Sequence, residues 1–228
     1  MDPQARPHSA RLDPRPGAAV YKKGVLSLYD PVVLGLSNTY LWRCPTRELL
    51  RFYDEHVSDR HLDVGVGSGY FLDRCRFPVA HPTLALLDFS EGSLRFTEHR
   101  VRRYAPVSYR ADILQPLAPA AIDLAPFRSI GLNYVLHCLP GDLPYKARVF
   151  GHLRGLLAPG GVLFGSTILG RPAPHGLLAR RLMALYNRRG IFSNQHDTRE
   201  ALEQVLAAHF SQHEICVRGS VALFVARP

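Results

Sequence analysis

From His61 onward, short apolar runs alternate with segments of helical spacing, and this alternation predicts a parallel sheet covered on both faces by helices. The apolar runs are HLDVGV from His61, TLALLDF from Thr83, PVSYRAD from Pro106, FRSIGLNYV from Phe127 and GVLFGSTIL from Gly161. Between them, residues 91–103 and 142–157 have helical spacing, and Pro159-Gly160-Gly161 is expected to break the second helix before its strand. The end of the chain follows another rule. QHEICVRG and SVALFVARP meet at Gly219-Ser220, which predicts an antiparallel hairpin.

Two segments fall outside the predicted sheet. Residues 20–57 read as a helical cap of two helices, the second starting near Pro45 with Thr46 as a candidate cap. Residues 170–196 contain the amphipathic piece GLLARRLMALYNR. Insertions at the carboxyl edge of an α/β sheet lie over the ligand crevice, so both segments are candidate substrate lids, with plain packing helices as the alternative. Residues 1–19, rich in Pro, Arg and Ala, read as a poorly ordered arm, and they lack the apolar core of a secretory signal. The rest, residues 20–228, is expected to form a single domain.

Composition narrows this picture modestly. A chain of 228 residues suits one α/β domain with a sizeable core. No apolar run approaches the roughly 18 residues of a membrane span. The formal charge of +9 invites a nucleic-acid reading. It comes almost wholly from arginine, since Lys22, Lys23 and Lys146 are the only lysines, and a GC-rich coding sequence would give the same bias. Arg95, Arg100, Arg102 and Arg103 form one cluster, diluted by Glu91 and Glu98, which favours a solvated helix face; Arg180, Arg181, Arg188 and Arg189 form another. Cys44, Cys75, Cys138 and Cys216 are too scattered for a zinc site or disulfide framework, and read as buried thiols in a reducing cytoplasm.

The stretch HLDVGVGSGYFLDR carries the chemistry. A strand ending in Asp63 runs into glycines at Gly65, Gly67 and Gly69 and then a helix. Such glycines let backbone approach a ligand closely. A dinucleotide fingerprint would be G-x-G-x-x-G, and Tyr70 occupies the place of its third glycine. A carboxylate two residues before the first glycine suits a positive group, such as an amino-acid ammonium, better than a phosphate. The bland alternative is a glycine-rich turn between a strand and a helix. D-x-G-x-G-x-G after a strand resembles the cofactor loop of the class I S-adenosylmethionine-dependent methyltransferases. With the terminal hairpin, the resemblance extends from about residue 40 to the end. It implies an α/β, Rossmann-like seven-stranded mostly parallel sheet with helices on both faces and a C-terminal antiparallel β-hairpin.

Further strand ends should converge on the same crevice. Asp88, in LLDFSEGSL, can accept both ribose hydroxyls, or simply cap the next helix together with Ser90. Phe89 beside it can pack on an adenine face. By resemblance, Asp112 accepts from the adenine amino group and Ile113 flanks the ring, while Asn133 and Tyr134 line the methionine and methyl region. Many family members carry an acid earlier in that fourth strand, where this chain has Ser129 and Ile130. His137 is a candidate general base, or a packing residue at a helix start. Arg43 is a candidate partner for the cofactor carboxylate, or part of an aromatic cluster with Tyr21, Tyr29, Tyr40 and Trp42 that packs a helix.

The expected function is methyl transfer from S-adenosylmethionine, leaving S-adenosylhomocysteine, to oxygen or nitrogen of a small molecule, such as a natural product. Asn133 and His137 are the catalytic candidates; His175 or His196 are further bases if the acceptor is a hydroxyl, and no metal is required. The segment GLNYVLHCLPG lacks the N-P-P-[YF] pattern of nucleic-acid amino methyltransferases, and Cys138 lacks the preceding proline of cytosine C5 enzymes. An RNA or protein methyltransferase, supported by the charge, and a methyltransferase fold with a non-methylating role remain as alternatives. A cytoplasmic, membrane-free protein is expected.

Overall fold

The computed structural model describes residues 37–117, 122–171 and 176–228. Seven strands form one sheet: β1 (Arg60–Val64), β2 (Thr83–Asp88), β3 (Val107–Arg110), β4 (Phe127–Asn133), β5 (Leu157–Ile168), β6 (Gln212–Arg218) and β7 (Val221–Arg227). Their order is β3-β2-β1-β4-β5-β7-β6, with β7 antiparallel to both its neighbours and the other pairs parallel. The chain leaves β1 towards β2 on one side and later returns to β4 on the other. That reversal opens a crevice at the carboxyl ends of β1 and β4, where open α/β sheets bind ligands. The Rossmann-like seven-stranded sheet with its terminal hairpin is the fold expected from the sequence.

The helices are α1 (Thr46–His56), α2 (Tyr70–Arg74), α3 (Glu91–Arg100), α4 (Leu143–Lys146), α5 (Arg148–Arg154), α6 (Leu177–Arg188) and α7 (Arg199–His209). One face of the sheet buries Leu62, Ile130 and Leu132 against Phe150, Leu153, Leu202 and Leu206 of α5 and α7. The other buries Leu84, Leu86 and Phe164 against Tyr53, Leu72 and Leu94. Each such side chain contributes about 1.5–3 kcal/mol by leaving water. A third cluster joins Trp42 and Leu49 to Ala179, Met183, Phe192 and Leu223, so α6 is docked over the sheet edge by its apolar stripe.

Several local expectations are corrected. Strand β5 begins at Leu157 rather than Gly161: Phe127 pairs with Leu157 and Ser129 with Val162, so Pro159-Gly160-Gly161 is extruded as a bulge within the strand. The predicted helix over 142–157 is divided into α4 and α5. Thr46 is the first helical residue, not the cap; Pro45 stands at the cap position, and Thr46 Oγ1 accepts a hydrogen bond from Asn38 Nδ2 at 3.0 Å. Residues 1–36, 118–121 and 172–175 lie outside the described residues, and with them the N-terminal arm, the first cap helix, Tyr21, Tyr29 and His175.

The surface chemistry also separates into cases. Arg100 and Arg103 both pair with Asp73, at 3.2 and 2.7 Å, and Arg95 pairs with Glu91 at 2.7 Å. The first arginine cluster is thus largely matched by carboxylates, as a solvated helix face requires. Arg180, Arg181, Arg188 and Arg189 are exposed on and just after α6. All four cysteines are free thiols; Cys44 and Cys75 are buried, but Cys138 is only half-buried and Cys216 is exposed on the outer strand β6. Among the described residues, no helix is long and apolar enough to cross a membrane.

Candidate active site

A pocket at the carboxyl end of β1 is walled by Asp63, Gly65, Val66, Gly67, Ser68, Gly69, Tyr70 and Phe71, and across from them by Asn133 and Tyr134 from the end of β4. Gly65, Gly67 and Gly69 all have left-handed backbone, with φ of 70°, 52° and 68°. Gly65 and Gly69 are also sterically required. A Cβ on Gly65 would come within 2.3 Å of Val135 Cγ2, and one on Gly69 within 2.7 Å of Thr97 Cγ2. The helix after the loop, α2, has five residues, so the loop geometry rather than a long helix dipole shapes the pocket.

Asp63 lines the pocket with its side chain 10% exposed. Asp88 ends the neighbouring strand, off the pocket wall itself, and its carboxylate accepts from the backbone amides of Val66 and Gly67 in the glycine loop. It also accepts the Ser90 N–H at 2.7 Å, while Ser90 itself caps α3. Burial pushes the Asp88 carboxyl up to about 6, despite the opposing pull of these amides. Two carboxylates flanking one loop make a site for a cationic ligand carrying hydroxyl groups.

The remaining candidates divide. Phe89 is half-buried beside Asp88. Asp112 closes a tight turn, its Oδ1 accepting the Leu114 N–H at 3.0 Å, and Ile113 is buried in the core beside it. Arg43 is not on the pocket wall. It has a left-handed backbone (φ 55°) next to the β6–β7 turn, and this backbone directs Trp42 inward and leaves Arg43 exposed.

Asn133 is better placed. Its Oδ1 accepts from Ser166 Oγ at 3.0 Å, which fixes the amide, while its buried Nδ2 has no partner among the described residues. An unpaired buried donor on a pocket wall is costly unless a ligand satisfies it. Tyr134 adopts a left-handed φ of 58° and is held there by two bonds: its N–H to Ser166 O at 2.8 Å and its hydroxyl to Asn38 Oδ1 at 3.0 Å. Such strain in a non-glycine residue is characteristic of ligand sites. Asn38, fully buried, links the segment before α1 to this wall, and nothing in its local sequence pattern marked it.

His137 is 3% exposed and wedged between rings of Tyr134 and Phe192. Its Nδ1 accepts the backbone N–H of Ile168 at 3.2 Å. Burial lowers it to about 3. Both features argue against proton abstraction by this ring, because its basic lone pair is occupied and its cation is strongly disfavoured. His196 is exposed. A buried ion pair, Lys146 to Asp197 at 2.7 Å, lies beneath the same region and holds the chain that follows α6. The sequence reading missed it because an isolated lysine and an isolated aspartate 51 residues apart carry no local signal.

The set of groups fits S-adenosylmethionine: a close-approach glycine loop, a carboxylate on the pocket wall, a half-buried acid at the second strand end, and an orphaned amide donor. A family model described as a methyltransferase domain matches residues 62–163. Demethylluteothin O-methyltransferase of Streptomyces thioluteus is 35% identical over 92% of this chain and 90% of that protein. The physcion biosynthesis cluster O-methyltransferase of Aspergillus chevalieri is 37% identical over 92% of this chain and 94% of its own length. Among solved structures, the DhpI–SAH complex shares the fold with a TM-score of 0.66 at 12% identity, over 94% of this chain and 96% of that one.

Proposed function

The chain belongs to the S-adenosylmethionine-dependent methyltransferases that act on small molecules, and from that premise we propose that it methylates a hydroxyl oxygen of an apolar natural-product acceptor. The single observation that carries this reading is the junction at Tyr134. This residue lines the cofactor pocket and also packs against the apolar cluster of Trp42, Met183 and Phe192 under α6. An acceptor seated under that roof would meet the pocket at Asn133 and Tyr134. The relatives named as O-methyltransferases support oxygen as the acceptor atom.

S-adenosylmethionine, when bound, supplies a methyl group already activated on a sulfonium. The protein's part is then alignment and exclusion of water, worth roughly 7–11 kcal/mol of barrier. In this reading Asp63 binds the ammonium, and the backbone of Gly65, Gly67 and Gly69 lies against the ligand. Asp88 accepts the ribose hydroxyls, Phe89 covers the adenine face, Asp112 accepts its amino group and Ile113 backs the ring. Asn133 donates its free Nδ2–H to an oxygen in the pocket, and Tyr134 shapes the methyl region. His137 is a packing residue, and Arg43 takes no part. An enol or phenol acidic enough to ionise near neutral pH needs no protein base.

The segment around α6 serves as the lid, and residues 37–57 as the described part of the helical cap. The matched arginines on and just after α3 argue for a small-molecule partner over RNA, and the free thiols fit a cytoplasmic setting. The test is to incubate the protein with S-adenosylmethionine labelled in the methyl group and panels of phenolic, enolic and amine acceptors. Label transferred to oxygen, with equal S-adenosylhomocysteine formed, is the expected result. Transfer to amines alone overturns the oxygen assignment.

A further inference from the structure

Behind Asp63 lies a chain of buried hydrogen bonds that none of the cofactor contacts above requires. His61 and Asp63 are two residues apart on β1, so their side chains leave the same face of the strand. Tyr53 reaches them from α1, and Ser129 from β4. The Tyr53 hydroxyl lies 3.1 Å from Asp63 Oδ1 and 2.8 Å from His61 Nε2. His61 Nδ1 lies 2.8 Å from Ser129 Oγ, which also accepts the Ser58 N–H at 2.9 Å and lies 2.8 Å from the Ser58 hydroxyl. Tyr53, His61 and Ser129 are fully buried.

One polarity gives every member a partner, with the Ser58 hydroxyl donating to Ser129 at its far end. A tyrosine hydroxyl has a single proton and an ionised carboxylate only accepts, so Tyr53 donates to Asp63. The Tyr53 oxygen then accepts the Nε2–H of His61. A neutral imidazole with its proton on Nε2 leaves Nδ1 as an acceptor for the Ser129 hydroxyl. Each proton in the series points toward Asp63. Burial and the neighbouring Asp63 charge push the Tyr53 hydroxyl well above its ordinary value, which keeps that proton on Tyr53.

Gly131 is a second, independent sign that the arrangement is built. It pairs with Asp63 across the β1–β4 ladder, and a Cβ there would fall 2.9 Å from Asp63 Oδ1 and 3.2 Å from His61 Cε1. Any larger residue would press on both side chains. Aromatic packing completes the enclosure: the Tyr53 ring stacks on Phe71, itself a pocket residue, and meets Phe164 edge-on.

We propose that Tyr53, His61 and Ser129 are positioning residues that hold Oδ1 of Asp63, so that Oδ2 is presented to the ammonium of the cofactor. The proposal rests on the reading that Asp63 binds that ammonium. It explains why a fully buried polar series is retained beneath an otherwise apolar sheet face, where a set of apolar residues would fill the same space without desolvation cost.

The test uses calorimetric titration with two ligands, S-adenosylhomocysteine and methylthioadenosine, which share the nucleoside but differ in the amino-acid portion. Tyr53→Phe should weaken S-adenosylhomocysteine binding by about tenfold and leave methylthioadenosine binding unchanged. Equal losses for both ligands would make Tyr53 merely structural and overturn the proposal. If Asp63→Ala weakens S-adenosylhomocysteine binding while Tyr53→Phe does not, the relay is overturned and the ammonium reading stands. If Asp63→Ala is also silent, the ammonium reading itself is lost. Should Tyr53→Phe fail to fold, Ser129→Ala must show the same selective loss. NMR of the native imidazoles gives a separate check: His61 should carry its proton on Nε2, and an Nδ1–H tautomer overturns the polarity.

Discussion

The Nδ1 atom of His137 accepts the backbone N–H of Ile168 at 3.2 Å, which commits the basic lone pair of the ring to the last residue of β5. A neutral imidazole so held carries its proton on Nε2 and serves as a donor. Replacing it by Gln should therefore leave the position of the pH–rate profile unchanged while lowering stability. A profile limb that disappears in His137→Gln would restore the ring as a base.

The same burial makes a pH statement about folding. His137 sits at about 3 in the folded chain against 6.5 when exposed, so the unfolded state takes up a proton first as pH falls. Its contribution is constant above pH 6.5 and is lost below it, by about 1.4 kcal/mol per pH unit. Urea unfolding at pH 7 and pH 5 should show this loss in the native chain and a smaller one in His137→Gln.

Asp88 titrates in a range where ligand binding can be followed, since burial raises it to about 6. Below that pH a protonated carboxyl can no longer accept from both ribose hydroxyls. Affinity for S-adenosylhomocysteine should then fall by up to roughly tenfold per pH unit, and Asp88→Asn should be weak and flat. For folding the sign is reversed. The folded value lies above the unfolded 3.8, so the ionised carboxylate costs stability above about pH 6 and acid relieves that cost. Calorimetry between pH 5 and 8 decides the matter; flat native affinity would remove Asp88 from the ribose.

Legibility in the sequence followed the range of the forces involved. The strand positions and the hairpin were readable because burial writes continuous apolar runs, and Gly219 marks the turn; the order of the strands was not spelled out by those runs. The loop from Asp63 to Gly69 was readable because backbone approach demands glycine locally. The His61–Tyr53–Ser129 series was not, although the i, i+2 spacing of His61 and Asp63 placed both on one face. Its partners come from another helix and another strand. Arg43 shows the complementary case: a guanidinium near aromatics suggested a carboxylate partner, whereas its left-handed φ of 55° leaves it exposed and off the wall of the glycine-loop pocket. The bulge at Pro159–Gly161 deceived because a Pro-Gly-Gly run marks a helix end as readily as an extrusion from a strand.

Gly65 gives a sharp test of the loop. With φ at 70° and Val135 only 2.3 Å from where a Cβ would lie, Gly65→Ala meets both backbone strain and collision. The loop should shift, and cofactor affinity should fall by roughly 5- to 150-fold, by the arithmetic of about 1–3 kcal/mol of strain. Gly65→Ala with Val135→Ala removes the collision but not the strain, so it should recover only part of the affinity. Full recovery in calorimetry would show that the left-handed backbone is dispensable.

Lys146 and Asp197 connect stability to the acceptor side. The ammonium donates to Asp197 Oδ2 and to the Ser193 carbonyl, each at 2.7 Å, and neither side chain is accessible to water. Burial drives both groups toward their neutral forms, lowering Lys146 and raising Asp197, while their mutual attraction opposes it. Removing one partner strands the other, so Lys146→Met should cost about 3–5 kcal/mol in urea unfolding. Lys146→Met with Asp197→Leu should return much of that loss, because two apolar side chains leave no buried charge. The pair fastens the chain after α6 to α4, and Asn194 adds a bond to the Ile168 carbonyl at 2.8 Å. The glycine loop follows β1 and does not share these contacts. The double variant should therefore bind S-adenosylhomocysteine normally while turning over acceptor more slowly, since the roof over Tyr134 is no longer fixed in one place. Equal loss of cofactor affinity would mean that the ion pair supports the whole crevice rather than its lid.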